Sequence, residues 1–345
     1  MLTPKNWKDY ELIDSGDGMK LERWGDYTLA RPDPQAIWRK ERPELWATAH
    51  GTYTRSSKGG GSWKFPATGG HSGGGKKVPE HWKVSYPHPK GSTSNVDAQI
   101  VRGSTLSIQK VEPPELNFWV RPTDFKHTGL FPEQAVNWDW LVDNIKNQKS
   151  KIKTDNSEIN ILNLFAYTGA ATVACAVAGA KVTHVDASKG IVNWAKENLQ
   201  ETMQRGLPRS EQSESFGVRW IVDDAFKFVQ REAKRGVKYD GIIMDPPSYG
   251  RGAKGEMWKI EKMLTPLVES CVDLLSDNHL FFMINSYTAG LSSTVIANVL
   301  DSALSKKFGH LMSKEIEAHE LGLQTSGSKR ILPAGVTARW SHKSS

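Results

Sequence analysis

Cysteine is nearly absent from this chain: 345 residues carry two, Cys175 and Cys271. Both fall in apolar, helical-looking segments, which argues against a disulfide framework or a zinc site. Long apolar runs are missing too, and no stretch approaches the roughly 20 residues of a membrane span. Residues Met1 to Gly16 lack the basic-then-apolar order of a secretion signal. The expectation is a cytoplasmic protein with no membrane or metal partner, a short organellar targeting sequence being left open.

Acidic residues are scarce in one segment only. Between Gly51 and Lys110, nine Lys/Arg (Arg55, Lys58, Lys64, Lys76, Lys77, Lys83, Lys90, Arg102, Lys110) face Glu80 and Asp97. Elsewhere the two signs balance at 36 each, so this segment carries the whole net charge of +7. It also holds eleven of the thirty glycines, with Tyr53, Trp63, Phe65, Trp82 and Tyr86 interleaved. Cations beside rings suit a polyanion with exposed bases, phosphates meeting the cations and bases stacking on the rings. The bland alternative is a solvated loop whose lysines keep it soluble.

The length suffices for two domains. Residues 1–125 read as short strands (Tyr10–Ile13, Leu21–Trp24, Tyr27–Ala30, Lys83–Tyr86, Leu106–Gln109, Leu116–Arg121) between Gly and Pro turns. A short helix is expected over Pro34–Trp46, and a Gly-rich basic loop over 57–77. From 126 to 345 strand and helix patterns alternate. Helix Glu133–Asn147 precedes strands Ile159–Phe165, Lys181–Val185, Val218–Val222, Gly241–Met244 and His279–Ile284, with helices between them. Two strands follow near Ile316–Leu323 and Val336–Trp340. The fold class is therefore α/β, a parallel sheet with helices on both faces behind a small β-rich N-terminal domain.

In such sheets ligands bind at the carboxyl ends of the strands. The first strand ends Asn163-Leu-Phe-Ala-Tyr-Thr-Gly169 and runs into small residues, a sharp turn that aims backbone N–H groups at a ligand. One glycine in place of G-x-G-x-x-G speaks against a dinucleotide. Asp186 ends the next strand, placed to accept from two ribose hydroxyls. Asp224 follows the third, able to face an adenine amino group with Phe226 beside the ring. Either aspartate alone reads equally as a helix cap; the two together behind this turn favour an adenosine ligand. The fourth strand ends Asp245-Pro-Pro-Ser-Tyr249, where two prolines remove N–H donors and leave acceptors in the cleft.

These strand ends resemble those of class I S-adenosylmethionine-dependent methyltransferases, Rossmann-like in fold. The resemblance is strongest to the group containing the large-subunit ribosomal RNA cytosine C5-methyltransferases. It covers roughly Leu116 to Tyr287, about half of the chain, through Lys126-His-Thr-Gly-Leu-Phe-Pro-Glu-Gln134, the turn ending at Gly169, Val185-Asp-Ala-Ser188, Asp224-Ala-Phe226 and Asp245-Pro-Pro-Ser-Tyr249. The resemblance implies S-adenosyl-L-methionine as cofactor. Asn163, Phe165, Tyr167 and Gly169 would wrap its methionine part, with Asp245 at the same end. Asp186, Ala187 and Ser188 would hold the ribose, and Asp224, Ala225 and Phe226 the adenine. Thr128, Phe131 and Gln134 would close the site, with Asn137 on the same helical face. Asp245, Pro246 and Tyr249 would face the methyl acceptor.

One element of that group is missing. Cytosine C5 methylation uses a cysteine thiolate that first adds to the ring. Here the fourth and fifth strand ends offer Asp245-Pro-Pro-Ser-Tyr249 and Ile284-Asn-Ser-Tyr-Thr288, without cysteine. That argues for an acceptor that needs no thiol, such as a nitrogen, in an RNA and most naturally a ribosomal one. The basic loop Gly250–Gly255 would grip phosphate or merely be a flexible surface loop. Other readings are a protein or small-molecule methyltransferase, or a non-catalytic binding protein of the same fold.

Overall fold

The computed structural model of the chain describes residues 1–56, 60–66, 77–87, 115–151, 158–203, 216–251, 257–309 and 316–342. The strand expected at Leu106–Gln109, most of the tract 57–77 and residues 252–256 lie outside that set, as do Lys58, Lys76, Lys90, Arg102 and Lys110.

Strands β1 (Tyr10–Gly16), β2 (Met19–Trp24), β3 (Tyr27–Pro32), β4 (Gly51–Arg55) and β5 (Gly61–Lys64) form one sheet in chain order. The helix expected over Pro34–Trp46 shrinks to a 3-10 turn at Pro43–Thr48. Pro43 keeps Arg42 out of the helical region (φ −131°, ψ 66°). The buried Asp14 carboxylate also accepts from Glu41 N, Arg42 N and Trp46 Nε1 at 2.8–3.3 Å, tying the segment to β1 instead. Strands β6 (Trp82–Tyr86) and β7 (Leu116–Val120) then pair with each other.

A 3-10 turn, Pro132–Gln134, leads into α1 (Ala135–Lys151). Next come β8 (Asn160–Leu164), α2 (Ala170–Val177), β9 (Lys181–Asp186), α3 (Lys189–Met203), β10 (Val218–Val222), α4 (Ala225–Lys234) and β11 (Gly241–Met244). A small hairpin, β12 (Tyr249–Arg251) with β13 (Met257–Lys259), precedes α5 (Ile260–Val272), β14 (Phe281–Ser286), α6 (Ser293–Phe308), β15 (Ile316–Gln324) and β16 (Ile331–Ser341).

The large sheet has the order β10-β9-β8-β11-β14-β16-β15. Its first five strands are parallel, as continuous apolar runs predict. The two further strands complete the sheet differently: β16 runs antiparallel to both β14 and β15. The link from β15 to β16, residues 325–330, is too short for a crossover, so the pair must form a hairpin. Alternate strand residues feed the two faces. Ile161 and Val182 pack with Trp138, Leu141 and Val173 of α1 and α2, whereas Leu162, Leu164 and Val185 pack with Phe228, Leu267 and Ile296 of α4 to α6. The first of these cores continues without a break into Tyr10, Tyr86 and Phe118 of the N-terminal strands and Trp7 just ahead of β1.

Candidate active site

Strand order reverses direction at β8, whose neighbours are β9 and β11, and a cavity opens there at the carboxyl ends. Its empty volume is about 460 Å³, open mouth included. After Leu164 the backbone turns sharply through Phe165 (φ 53°), Tyr167 (φ 49°) and Gly169 (φ 80°). Left-handed non-glycine residues are costly and persist where surrounding structure holds them. Here the Asp186 carboxylate accepts from Tyr167 N at 3.0 Å and Ala166 N donates to Val185 O at 3.1 Å. Gly169 is required twice, by its φ and because a Cβ would lie 2.8 Å from that of Ala195. Gly129 meets a similar demand on the opposite wall, where a Cβ would enter the Trp194 ring.

Phe131, Gln134, Asn163, Phe165, Tyr167, Gly169 and Asp245 all line this cavity. Asn163 is fixed from behind by donating to Thr172 Oγ1 (2.9 Å), which also meets the buried His184 Nδ1 at 2.9 Å. Burial pushes His184 down to about 3, so its ring is neutral. Thr128 is wholly buried beside the cavity without lining it. Asp186, Ala187 and Ser188 stand at the tip of β9, where Asp186 also accepts from Ser188 N at 2.9 Å. Asp224, Ala225 and Phe226 open α4 beyond β10, and Asp224 caps that helix by accepting from Lys227 N. Neither group lines the cavity itself, but Asp223 N donates to Asp186 O and joins the two tips. Pro246 and Tyr249 also lie outside the lining. Tyr249 is half exposed on β12, its hydroxyl meeting Met257 Sδ at 3.6 Å. The expectation that both proline carbonyls are free is corrected at Pro247, whose oxygen accepts from Trp258 Nε1 at 2.5 Å. The Trp258 ring lies 5.3 Å from Phe165.

Several residues at this end had been given no role. Asn285, the last buried polar residue but one of β14, lines the cavity. Asn137 donates to Asn285 Oδ1 (3.0 Å) and to Gln134 Oε1 (2.7 Å), and Gln134 donates to the Tyr287 hydroxyl (2.8 Å). Buried Glu133 is hydrogen-bonded to the same tyrosine. Burial, reinforced by the Glu133 carboxylate, pushes Asp245 up to about 7. Burial likewise raises Glu133. The detectable signal for Asn285 was an amide inside an otherwise apolar strand, which must find a partner. Both thiols are remote from this chemistry: Cys175 in α2 and Cys271 in α5 are fully buried in the core, absent from the lining, and raised well above the ordinary thiol value by burial.

A cleft at a sheet's switch point, walled by a strained turn and followed by aspartates on the next two strand tips, defines a Rossmann-like enzyme for an adenosine-bearing ligand. No family model matches the chain. A crystal structure of a SAM-dependent methyltransferase from Agrobacterium tumefaciens superimposes with a TM-score of 0.76 at 33% identity, covering 99% of this chain and 93% of that one. Ribosomal RNA large subunit methyltransferase K/L of Shewanella frigidimarina is 31% identical over 163 residues, 47% of this chain and 20% of the relative. Ribosomal RNA large subunit methyltransferase K of Neisseria meningitidis serogroup B is 28% identical over 198 residues, 55% of this chain and 47% of the relative. The chain thus spans less than half the length of these curated relatives. It belongs to the S-adenosylmethionine-dependent methyltransferases. Its cofactor is S-adenosylmethionine, which the cavity and the two acceptor-bearing strand tips fit. Among the described residues no helix is long and apolar enough to cross a membrane.

Proposed function

We propose that this methyltransferase modifies RNA, a ribosomal RNA by analogy with the names of its relatives, at a nitrogen or another atom needing no thiol. The observation that carries the choice of atom is a half-buried carboxyl, Asp245, in the cavity wall where the cytosine C5 group needs a cysteine. Bound in the cleft, S-adenosylmethionine supplies an electrophilic methyl on a positively charged sulfur. The protein's own task is positioning. Asn163, Phe165, Tyr167 and Gly169 enclose the methionine end, with Phe131 and Gln134 closing it and Thr128 buttressing that wall. Asp186, with Ala187 and Ser188, holds the ribose; Asp224, Ala225 and Phe226 hold the adenine. Asp224 caps α4 through Oδ1, which leaves Oδ2 for the adenine amino group.

Asp245 and the Pro246 carbonyl accept hydrogen bonds from an amine of the substrate and aim its lone pair. A carboxyl near neutrality is matched to taking the proton that the nitrogen sheds once methylated. The exposed Tyr249 ring offers a surface for a flat base. We divide the chain into a β-rich unit, 1–125, that binds substrate and a methyltransferase unit, 126–345. Transfer of labelled methyl groups from S-adenosylmethionine to total RNA and, separately, to total protein tests the reading. Label in protein alone would overturn it.

A further inference from the structure

An aromatic ring that is 74% exposed, Phe125, tips the loop joining the N-terminal sheet to the cavity wall. One exposed apolar side chain is ordinary, so the ring gains meaning from how its loop is held and from what stands beside it. The loop is not slack. Arg121 N donates to Thr128 O (3.0 Å) and Thr123 N to His127 O (3.0 Å), closing it across its base. The N-terminal sheet grips it from below through Trp63 Nε1 to Thr123 O (2.8 Å), Tyr53 Oη to Asp124 O (2.6 Å) and Arg31 Nη1 to Lys126 O (3.2 Å). Lys126 is held in the left-handed region (φ 66°), a strained conformation for a lysine. Rigid strain beneath an exposed ring is preorganisation for contact.

A second ring stands at the same junction. Phe65, 45% exposed, stacks on Trp63 with centroids 6.1 Å apart and planes 11° from parallel. Trp63 therefore touches both parts, one through its ring and the other through its indole N–H. Exposed Arg55, opposite Gly61, shares the sheet face of Tyr53 and Trp63, whereas Lys64 points to the other face. Cations also crowd around Lys126: burial first, then Lys20, Arg55 and Arg31, lower it to about 8. His127 is lowered for the same reasons, burial leading. Its ring lies 5.4 Å from that of Phe131, which lines the cavity. Phe131 is six positions on from Phe125, so at most about 20 Å of chain separates the exposed ring from the cavity wall.

Resting on the RNA reading above, we propose that Phe125 and Phe65, with Arg55 on the sheet face of Trp63, form a stacking platform for bases of single-stranded RNA next to the target nucleotide. Rings accept any base face, cations follow the phosphates, and the short tether to Phe131 fixes the stacked base a few nucleotides from the methyl acceptor.

The test measures binding of a fluorescein-labelled, unstructured RNA of about twelve nucleotides to the full chain, alongside S-adenosylhomocysteine binding and methyl transfer to total RNA. Phe125→Ala and Phe65→Ala should each weaken RNA binding by between about fivefold and about 100-fold and leave S-adenosylhomocysteine affinity unchanged. Phe125→Tyr should restore binding. Arg55→Gln should flatten the salt dependence by about one unit of log–log slope. Wild-type RNA affinity in both alanine variants, with RNA still methylated by the unaltered chain, overturns the platform alone. An unaltered chain that binds no RNA and labels only protein overturns the RNA reading and the platform with it.

Discussion

Asp245 is held where its charge is poorly tolerated, between a buried glutamate and an apolar strand end, and that has consequences for both stability and rate. Its ordinary value is 3.8, whereas the fold pushes it up to about 7. The folded state therefore binds the proton more tightly, and stability falls as pH rises from about 4 to about 7. Asp245→Asn abolishes the titration, so its melting temperature should gain on the unaltered chain across that window. The underlying difference in unfolding free energy should reach a few kcal/mol at most by pH 8. Turnover should move the other way: the rate of the unaltered enzyme should climb through pH 7 as the carboxylate forms, and the asparagine variant should lose at least about 100-fold. S-adenosylhomocysteine affinity should change little. A variant with normal turnover and lost cofactor affinity would remove Asp245 from the acceptor side. The cysteines make the complementary test. Cys175→Ala and Cys271→Ala should cost about 1–3 kcal/mol of stability by leaving small cavities yet preserve methyl transfer. A stably folded but inactive alanine variant would restore the thiol route.

At the scale of single elements, the turn from β8 into α2 depends on the neighbouring strand. Asp186 accepts from Tyr167 N and Ser188 N and so holds both its own tip and the strained turn. Asp186→Ala should weaken S-adenosylhomocysteine binding by about tenfold or more, since a charge-assisted acceptor is worth about 1.5–3 kcal/mol. Calorimetric titration reads this directly, and Asp186→Asn should lie between the two. This part of the site was legible because its residues sit at successive strand ends, each marked by a local change from apolar run to turn. Asn285, Tyr287 and Glu133 were not legible in the same way. They meet only because α1 packs over β14, Trp140 lying on Phe281 at 5.5 Å, which brings Asn285 within 3.0 Å of Asn137 across 148 residues. Local spacing carries no record of that pairing. The helix expected at Pro34–Trp46 failed for a related reason: its competitor was Asp14, a carboxylate some thirty residues upstream.

Across the whole molecule, the two halves that differ in composition share one apolar core, in which Trp7 and Tyr86 pack on Trp138 at 5.8 and 5.5 Å. Composition distinguished the halves but could not reveal this continuity, because the contacts run between strands and a helix distant in sequence. Asn198 of α3 is the polar counterpart of that joint. It is wholly buried, accepts from Trp119 N of β7 at 2.8 Å, and donates to the Thr168 carbonyl of the turn between β8 and α2 at 2.8 Å. Asn198→Ala would leave a buried donor and a buried acceptor without partners, at a cost of about 1–3 kcal/mol each. Because the core is continuous, that loss should lower one cooperative thermal transition by several degrees without splitting it. S-adenosylhomocysteine affinity should fall in parallel, since Thr168 sits in the turn that Asn198 anchors. Differential scanning calorimetry of the full chain distinguishes the outcomes. Two separate transitions, only one of them displaced, would mean that the N-terminal strands unfold independently and that the joint at β7 and α3 transmits nothing to the cofactor site.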